Sequence, residues 1–189
     1  DHALNRVQLD RFTEIVSAFP DTPASLANSA GCYLGPNYAF DLTRPGIALY
    51  GGSTPPDTVG LEPVVTLDAR ILSVFHAKAG ETVGYGATHT LDGNTALATV
   101  ALGYADGIPR SGSDTLIAYL DGTPCPVLGR ISMDLITIDV SKAQGIAKSG
   151  ARVEFLGVHA KLEDQAARAG TLGYELLTGL SNRVERVYP

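Results

Sequence analysis

The chain has 189 residues, 44% of them hydrophobic and 18% charged, with a net charge of −6 at pH 7. This composition supports a folded core and argues against disorder, and no run of Lys or Arg favours a nucleic-acid partner or an anionic membrane surface. Apolar stretches are too short to cross a bilayer. The two cysteines lie far apart, outside any CxxC pair, so we expect neither a disulfide scaffold nor a metal site.

The first residues, DHAL, show neither an initiator Met nor the basic-then-apolar pattern of a signal peptide. This opening favours a processed or cut polypeptide over a native start. The absent signal and the unpaired cysteines together predict a cytoplasmic location.

The first 60 residues have the order of an α/β repeat. Apolar side chains recur at helical spacing over residues 9–19, and Pro20 ends that helix. Residues 25–30 are typical of a buried strand, and the short apolar pieces 40–42 and 47–50 predict a second one. A complete (β/α)8 TIM barrel takes roughly 250 residues, so this segment predicts only the last part of one.

Residues 51–63 are rich in Gly and Pro, which predicts a linker between segments 1–60 and 61–189. The second segment has the strand and turn signals of a mainly β domain. A helix is predicted over residues 162–169, ended by Gly170. The Asp-Gly pair between 116–120 and 123–124 marks the clearest hairpin. Strands are predicted over 64–75, 96–102, 115–120, 136–140 and 152–156.

Three glycine-flanked tyrosines are the first candidates for chemistry: Tyr85, Tyr104 and Tyr174. Self-contained catalytic motifs such as GxSxG, GxxxxGK and HExxH are absent, and the four histidines are scattered. A tyrosine beside glycines has little local cover, so its hydroxyl can face a cavity. Packing is the ordinary alternative for any one of them, but three, close to the string RISMD (130–134), exceed what a purely structural domain requires.

The strings that contain these residues resemble the signatures of bacterial alanine racemases, in the order and approximate spacing of that family. The likeness runs from residue 5 nearly to residue 189. The matching strings are ANSAG (27–31), RPGIALYG (44–51), GYGATHT (84–90), GYADGIPR (103–110), GRISMD (129–134), GYELL (173–177) and SNRVERVY (181–188).

The resemblance implies an enzyme that converts L-alanine to D-alanine for peptidoglycan precursors with pyridoxal 5′-phosphate (PLP). It implies an N-terminal (β/α)8 barrel that binds PLP and a C-terminal β domain. It also implies a head-to-tail homodimer in which each active site is completed by the partner's β domain. Tyr85 would be one catalytic base, opposite a barrel lysine that anchors PLP.

Two bases on opposite faces suit racemisation, because one removes the Cα proton and the other returns one. A free tyrosine has a pKa near ~10, so it needs a cation or hydrogen bond that favours its phenolate. In the family a barrel histidine gives that support. His89 is near Tyr85 in sequence, but a solvated or packed role is the favoured interpretation.

By the same resemblance, four groups bind the PLP phosphate and one binds the ring. The phosphate donors are the Ser29 hydroxyl, the Gly46 and Ile47 amides and the Tyr174 hydroxyl, and Arg44 hydrogen-bonds the pyridine nitrogen. Because a guanidinium does not give up its proton, that nitrogen stays unprotonated, which disfavours side reactions. A surface arginine and an Asn-Ser turn are the alternatives for Arg44 and Ser29.

Substrate contacts are implied for Met133, whose backbone amide would meet the alanine carboxylate, with core filling as the alternative. Tyr104 and Arg110 resemble entrance residues that restrict access to small amino acids. Ser132 and His89 differ from the cysteine and tyrosine frequent in these motifs.

No lysine here falls in a motif that matches the PLP-anchoring lysine. The chain alone is therefore expected to bind PLP weakly and to be inactive, as one piece of an enzyme that associates with its N-terminal barrel piece. A racemase for serine or a broader range of amino acids stays open, as does an inactive β module used only for dimerisation. The lysines present are Lys78, Lys142, Lys148 and Lys161.

Overall fold

The computed structural model describes residues 2–52 and 60–188, and the chain divides into two compact units, Asp1–Glu62 and Pro63–Pro189. The predicted linker 51–63 lies mostly outside the described residues. Within the described ranges, no helix combines the length and the apolarity that a membrane span requires.

The first unit begins with helix α1, Ala3–Ser17, which confirms the predicted helix but starts six residues earlier. The His2 side chain accepts the Leu4 N–H at 3.2 Å and so caps the first turn. Leu9 is buried, and the Phe12 ring packs edge-on against Phe40 at 5.0 Å between centroids. The predicted apolar face therefore packs only in part, because Ile15 and Phe19 on the same face are 57% and 59% exposed.

The two strands predicted in the first unit are wrong. Residues Ser29–Cys32 form a short helix, α2, and Ile47–Tyr50 form a 3-10 turn; Phe40 takes a left-handed φ of +50°. Only one parallel bridge, Asn28↔Arg44, joins these segments within the described residues. The Asn28 side chain accepts the Gly31 N–H at 3.0 Å, and this cap starts a helical turn where the apolar run alone suggested a strand.

The second unit is built on antiparallel strands, as expected for a mainly β domain. Its strands are β1 Leu67–Ala77, β2 Thr82–Val83, β3 His89–Thr90, β4 Thr95–Val100, β5 Ile117–Leu120, β6 Thr123–Pro126, β7 Ile136–Asp139 and β8 Arg152–Leu156. Six of them form one sheet in the order β6-β5-β8-β1-β4-β7, and β2 pairs with β3. The bridge Val127↔Ile138 joins the segment after β6 to β7, so the two edges of the sheet meet.

The predicted hairpin is confirmed as β5–β6, with Leu120 opposite Thr123. The two turn residues, Asp121 and Gly122, have φ values of +47° and +74°. Two successive positive φ values are typical of a type I′ turn, which matches the twist of the strands it joins.

The core of the second unit lies on one face of the sheet, because buried and less buried side chains alternate along β5 and β7. Phe155, Ile138 and Val153 are at most 1% exposed. Each buried side chain of this size contributes about 1.5–3 kcal/mol through removal of apolar surface from water. A smaller cluster, Ala77, Val83, Leu91 and Leu97, packs beneath the β2–β3 hairpin.

Two short helices complete the second unit: α3, Leu162–Arg168, and α4, Gly173–Gly179. The helix predicted over 162–169 is confirmed, and Gly170 follows it with φ +69°. The buried Gln165 amide donates to the carbonyls of Ile117 at 2.8 Å and Phe155 at 3.0 Å, which joins α3 to β5 and β8. Helix α4 was not predicted.

Candidate active site

Tyr85 lies at the tip of the β2–β3 hairpin, and its side chain is 72% exposed. Gly84 and Gly86, on either side of it, have φ values of +78° and +76°. The turn is closed by the Ala87 N–H, which donates to the Gly84 carbonyl at 3.2 Å. Glycine is favoured at both flanking positions because other residues rarely adopt this φ, and the result is a phenol that projects from a tight turn.

The backbone of the Tyr85 turn packs directly against the segment that begins GRISMD. A Cβ built on Gly84 would lie 2.8 Å from the backbone nitrogen of Arg130, and one built on Gly129 would lie 2.6 Å from the Val83 carbonyl oxygen. A Cβ on Gly86 would lie 3.2 Å from Arg130 Nη1, so the guanidinium is beside the turn. Side-chain bulk at these glycines would separate the two segments.

Asp114 connects the same two segments through its side chain. Its Oδ1 accepts the buried Gly129 N–H at 2.6 Å and is 2.8 Å from His89 Nδ1, at the base of the hairpin. The His89 imidazole therefore has a carboxylate partner, which supports the packed role over a role as partner of Tyr85.

Tyr104 and Met133 are brought together by backbone hydrogen bonds. The Tyr104 N–H donates to the Ser132 carbonyl at 3.0 Å, and the Ala105 N–H donates to the Met133 carbonyl at 3.0 Å. A Cβ on Gly103 would lie 2.2 Å from the Met133 carbonyl oxygen.

The side chain of Met133 is 52% exposed, so it does not fill the core. Among the described residues, no acceptor is found for the Met133 N–H. That amide is thus available to a carboxylate.

Arg110 and Tyr174 lie on other parts of the second unit. Arg110 begins a 3-10 turn, Arg110–Gly112, and is exposed. The Ser113 hydroxyl donates to the Arg110 carbonyl at 2.6 Å and accepts the Ile131 N–H at 3.0 Å, which links this turn to the GRISMD segment. Tyr174 lies on α4 and is 44% exposed; in the described part of the chain no hydrogen bond joins its hydroxyl to another predicted site residue.

Four of the predicted cofactor residues lie in the first unit: Ser29, Arg44, Gly46 and Ile47. The buried Ser29 Oγ accepts the N–H groups of Gly46 at 2.8 Å and Ala48 at 3.4 Å. The Arg44 guanidinium donates to Ser25 Oγ and to the Leu26 carbonyl, so it is held along the chain that leads to Ser29. A surface cavity of this unit is bordered by neighbours of Ser29 but not by Ser29 or Arg44.

Comparison with known proteins identifies the family of this chain. The sequence model described as "Alanine racemase, C-terminal domain" matches residues 64–188, and that of "Alanine racemase, N-terminal domain" matches residues 1–54. The chain belongs to the alanine racemase family.

Relatives named alanine racemase are 45% identical in Brucella abortus and 46% identical in Methylobacterium nodulans, over 99% and 98% of this chain. The structure of alanine racemase from Bartonella henselae with covalently bound pyridoxal phosphate is similar over the whole chain, with a TM-score of 0.94 and 37% identity. The chain spans about half the length of these relatives: 51% of the first two and 53% of the third.

The motifs predict the candidate residues of the site but not the contacts around the Tyr85 turn. Arg130 lies in the GRISMD motif, whereas Asp114 lies in none of the matching strings. Asp114 has a φ of +59°, a conformation that its short polar side chain tolerates. The sequence therefore does not indicate this unusual backbone conformation. Gly129 and His89, the partners of Asp114, are 15 and 25 residues away, so only the folded chain reveals the contact.

Proposed function

We propose that this chain supplies the tyrosine base, the substrate-facing backbone and part of the cofactor site of a PLP-dependent enzyme that interconverts L- and D-alanine. The observation that carries the proposal is the Tyr85 turn, in which an exposed phenol is attached to a backbone fixed by Gly129 and Arg130. The family of the chain supports the reaction, and the D-alanine formed would serve peptidoglycan precursors.

The residues of the first unit fit a phosphorylated pyridine cofactor. The Ser29 hydroxyl accepts two N–H groups and is 1% exposed, yet its own proton has no acceptor among the described residues. The Ile47 N–H likewise has none there, and both are donors that suit a phosphate. The Gly46 N–H already donates to Ser29 Oγ, so it would contact the phosphate only if that hydrogen bond broke. PLP, when bound, makes the Cα proton of the amino acid acidic.

Arg44 would face the pyridine nitrogen, and its position supports this role. Two of its nitrogens already donate to the 25–26 segment, so the guanidinium is oriented rather than free in solvent. Since a guanidinium does not release a proton, it would keep the ring nitrogen in its unprotonated form. We assign the Tyr174 hydroxyl as a further phosphate donor on the strength of the GYELL motif.

Tyr85 would hold or accept the Cα proton at its Oη, on one face of the bound amino acid. The Met133 N–H would bind the substrate carboxylate, and Tyr104 and Arg110 would restrict the entrance to small side chains. The hydrogen bonds between the Tyr104 and Met133 segments support the pairing of these two residues, because they join the two backbone segments directly.

The second base and the cover over the site would come from other polypeptide. A phenol that is 72% exposed is surrounded by water, whereas a general base works best in a preorganised site from which water is excluded. We propose that an N-terminal barrel piece supplies the lysine, and that two copies pair so that Tyr85 of one faces the barrel of the other. The chain's share of its relatives' length supports the need for such a piece.

The test joins the N-terminal half of the Brucella abortus relative to this chain and measures exchange between D- and L-alanine. We expect activity with Tyr85 and a loss of about 10²–10⁴-fold in kcat with Tyr85→Phe, the range typical of general acid–base catalysis. His76→Phe, at an exposed position of β1, is the control. Equal rates for the Tyr85→Phe variant and the parent protein would leave only a pairing role for this unit. Faster racemisation of serine than of alanine would contradict the assignment of alanine as the substrate.

A further inference from the structure

The C-terminal motif SNRVERVY (181–188) has no part in the site described above. It follows α4, and its Ser181 N–H donates to the Asp106 carbonyl at 3.1 Å. Leu180 and Val184 pack against the main core. These contacts hold the chain on both sides of Arg183.

The Arg183 guanidinium bridges two carboxylates that belong to different loops. Its Nη2 donates to Asp134 Oδ1 at 2.7 Å, and its Nε lies 3.4 Å from Asp106 Oδ1. The hydrogen bond with Asp134, followed by the charge of Asp106, raises the pKa of Arg183.

Both carboxylates are adjacent to predicted substrate contacts. Asp134 follows Met133 directly, and Asp106 ends the 3-10 turn that Tyr104 begins. The other oxygen of Asp106 accepts the Gly103 N–H at 2.8 Å, so this carboxylate fixes the start of the same turn. Arg183 therefore joins the Tyr104 turn and the Met133 segment through charge, in addition to their backbone hydrogen bonds.

We propose that Arg183 is a positioning residue that holds the Met133 N–H in place for the substrate carboxylate by clamping Asp106 and Asp134. This inference rests on the proposed function, in which that N–H binds alanine. The clamp needs a forked cation, because different nitrogens of one planar group reach the two carboxylates. A lysine ammonium is a single point charge and reproduces such a bridge poorly.

The matched control lies in the same motif. Arg186 is also exposed, but within the described residues its guanidinium donates to Asn182 Oδ1 and the Leu180 carbonyl, both at 3.4 Å, and to neither loop. Arg186→Gln removes the same charge from the same segment. A difference between the Gln variants at 183 and 186 therefore reports the clamp rather than net charge.

The first experiment follows amide hydrogen exchange in the 189-residue chain. Because the Tyr104 and Ala105 N–H groups bond to the Met133 segment, loss of the clamp opens these bonds more often. In Arg183→Gln we expect their exchange to rise about tenfold, with Ile138 in β7 unchanged. Arg186→Gln is expected to match the parent chain at all three amides.

The second experiment measures alanine kinetics in the protein joined to the Brucella abortus N-terminal half. A misplaced N–H weakens binding in the ground and transition states alike, which raises KM with kcat nearly unchanged. We expect Arg183→Gln to raise KM about tenfold and Arg183→Lys, which keeps the charge and the stem, about threefold. If Arg183→Gln does not fold, the KM of Arg183→Lys is the measurement that tests the inference.

Exchange rates and KM that are the same in the Arg183 and Arg186 variants would overturn the inference. A fall in kcat without a change in KM would also overturn it, since that result would place Arg183 in the proton transfer. Failure of the proposed function gives a different result: Tyr85→Phe would then keep full activity, while the exchange difference between Arg183→Gln and Arg186→Gln would still be observed.

Discussion

Asp114 offers a sharp test of how the Tyr85 turn is held in place. One oxygen of its carboxylate accepts the Gly129 N–H at 2.6 Å and lies 2.8 Å from His89 Nδ1. Gly129 is buried and its backbone contacts Val83, which precedes the Tyr85 turn. Replacing Asp114 therefore removes a contact on which the position of the turn depends.

The expected cost of Asp114→Ala has two parts. A buried N–H that loses its acceptor costs about 1–3 kcal/mol. Asp114 also has a φ of +59°, and an alanine in that left-handed conformation costs roughly 1–2 kcal/mol. The free energy of unfolding should therefore fall by about 2–5 kcal/mol. Asp114→Gly removes the acceptor without the backbone cost and should lose only about 1–3 kcal/mol.

Asp114→Asn is the matched control, because asparagine keeps an acceptor oxygen and tolerates a positive φ. Urea unfolding followed by circular dichroism gives the free energies, and amide exchange at Gly129 and Ala87 gives the local effect. We expect the order of stability Asn, then Gly, then Ala. If the three variants unfold at the same urea concentration and Ala87 exchanges at the parent rate, Asp114 does not hold the turn.

Two further predictions concern the core and the Met133 segment. Burial, with a smaller contribution from the charge of Asp139, raises the pKa of the Cys125 thiol from 9.0 to about 11 against a lowering hydrogen bond at Leu120. The folded state thus favours the neutral thiol, so the stability that this thiol contributes is present below pH 9 and is lost as the pH rises to about 11. Urea midpoints of the parent should fall over that window by more than those of Cys125→Ala. A Cβ at Gly103 would lie 2.2 Å from the Met133 carbonyl, so Gly103→Ala should cost about 1–3 kcal/mol in urea unfolding, whereas Gly93→Ala, in open space, should cost less than about 0.5 kcal/mol.

The sheet of the second unit could be predicted from sequence because its strands bury one face. In Ile136–Asp139 apolar and polar residues alternate in step with burial, whereas Ile117–Leu120 is apolar throughout and is marked as a strand by the Asp-Gly turn that follows it. Helix α4 was missed because a glycine lies at each end and the intervening YELLT is too short to show helical periodicity. In the first unit, the side chains of Asn28 and Ser29 accept hydrogen bonds from the N–H groups of Gly31 and Gly46, and these bonds fix the local structure. Such bonds cannot be predicted from hydropathy.

The candidate site could be predicted only at the level of its motifs. Tyr85 and Met133 were found through the strings around them, whereas the groups that position them are distant in sequence. Arg183 is 49 residues from Asp134, and a pattern read along one sequence contains no information about that pairing. The motif SNRVERVY was noticed, but its charge contacts required the folded chain.

Close contacts between backbones help to hold the loops of the second unit, and this affects how activity data are interpreted. Gly84 and Gly129 allow two chain segments to approach so closely that a single Cβ would force them apart, and Gly103 does the same beside Met133. The side chains of Tyr85 and Met133 contribute little to that packing, because they are 72% and 52% exposed. Their replacement should therefore leave the fold intact, since surface substitutions away from such contacts usually change stability by less than about 0.5 kcal/mol. A loss of activity in Tyr85→Phe would then report the missing hydroxyl itself, whereas a loss after substitution of Gly84 or Gly129 would report the displaced turn.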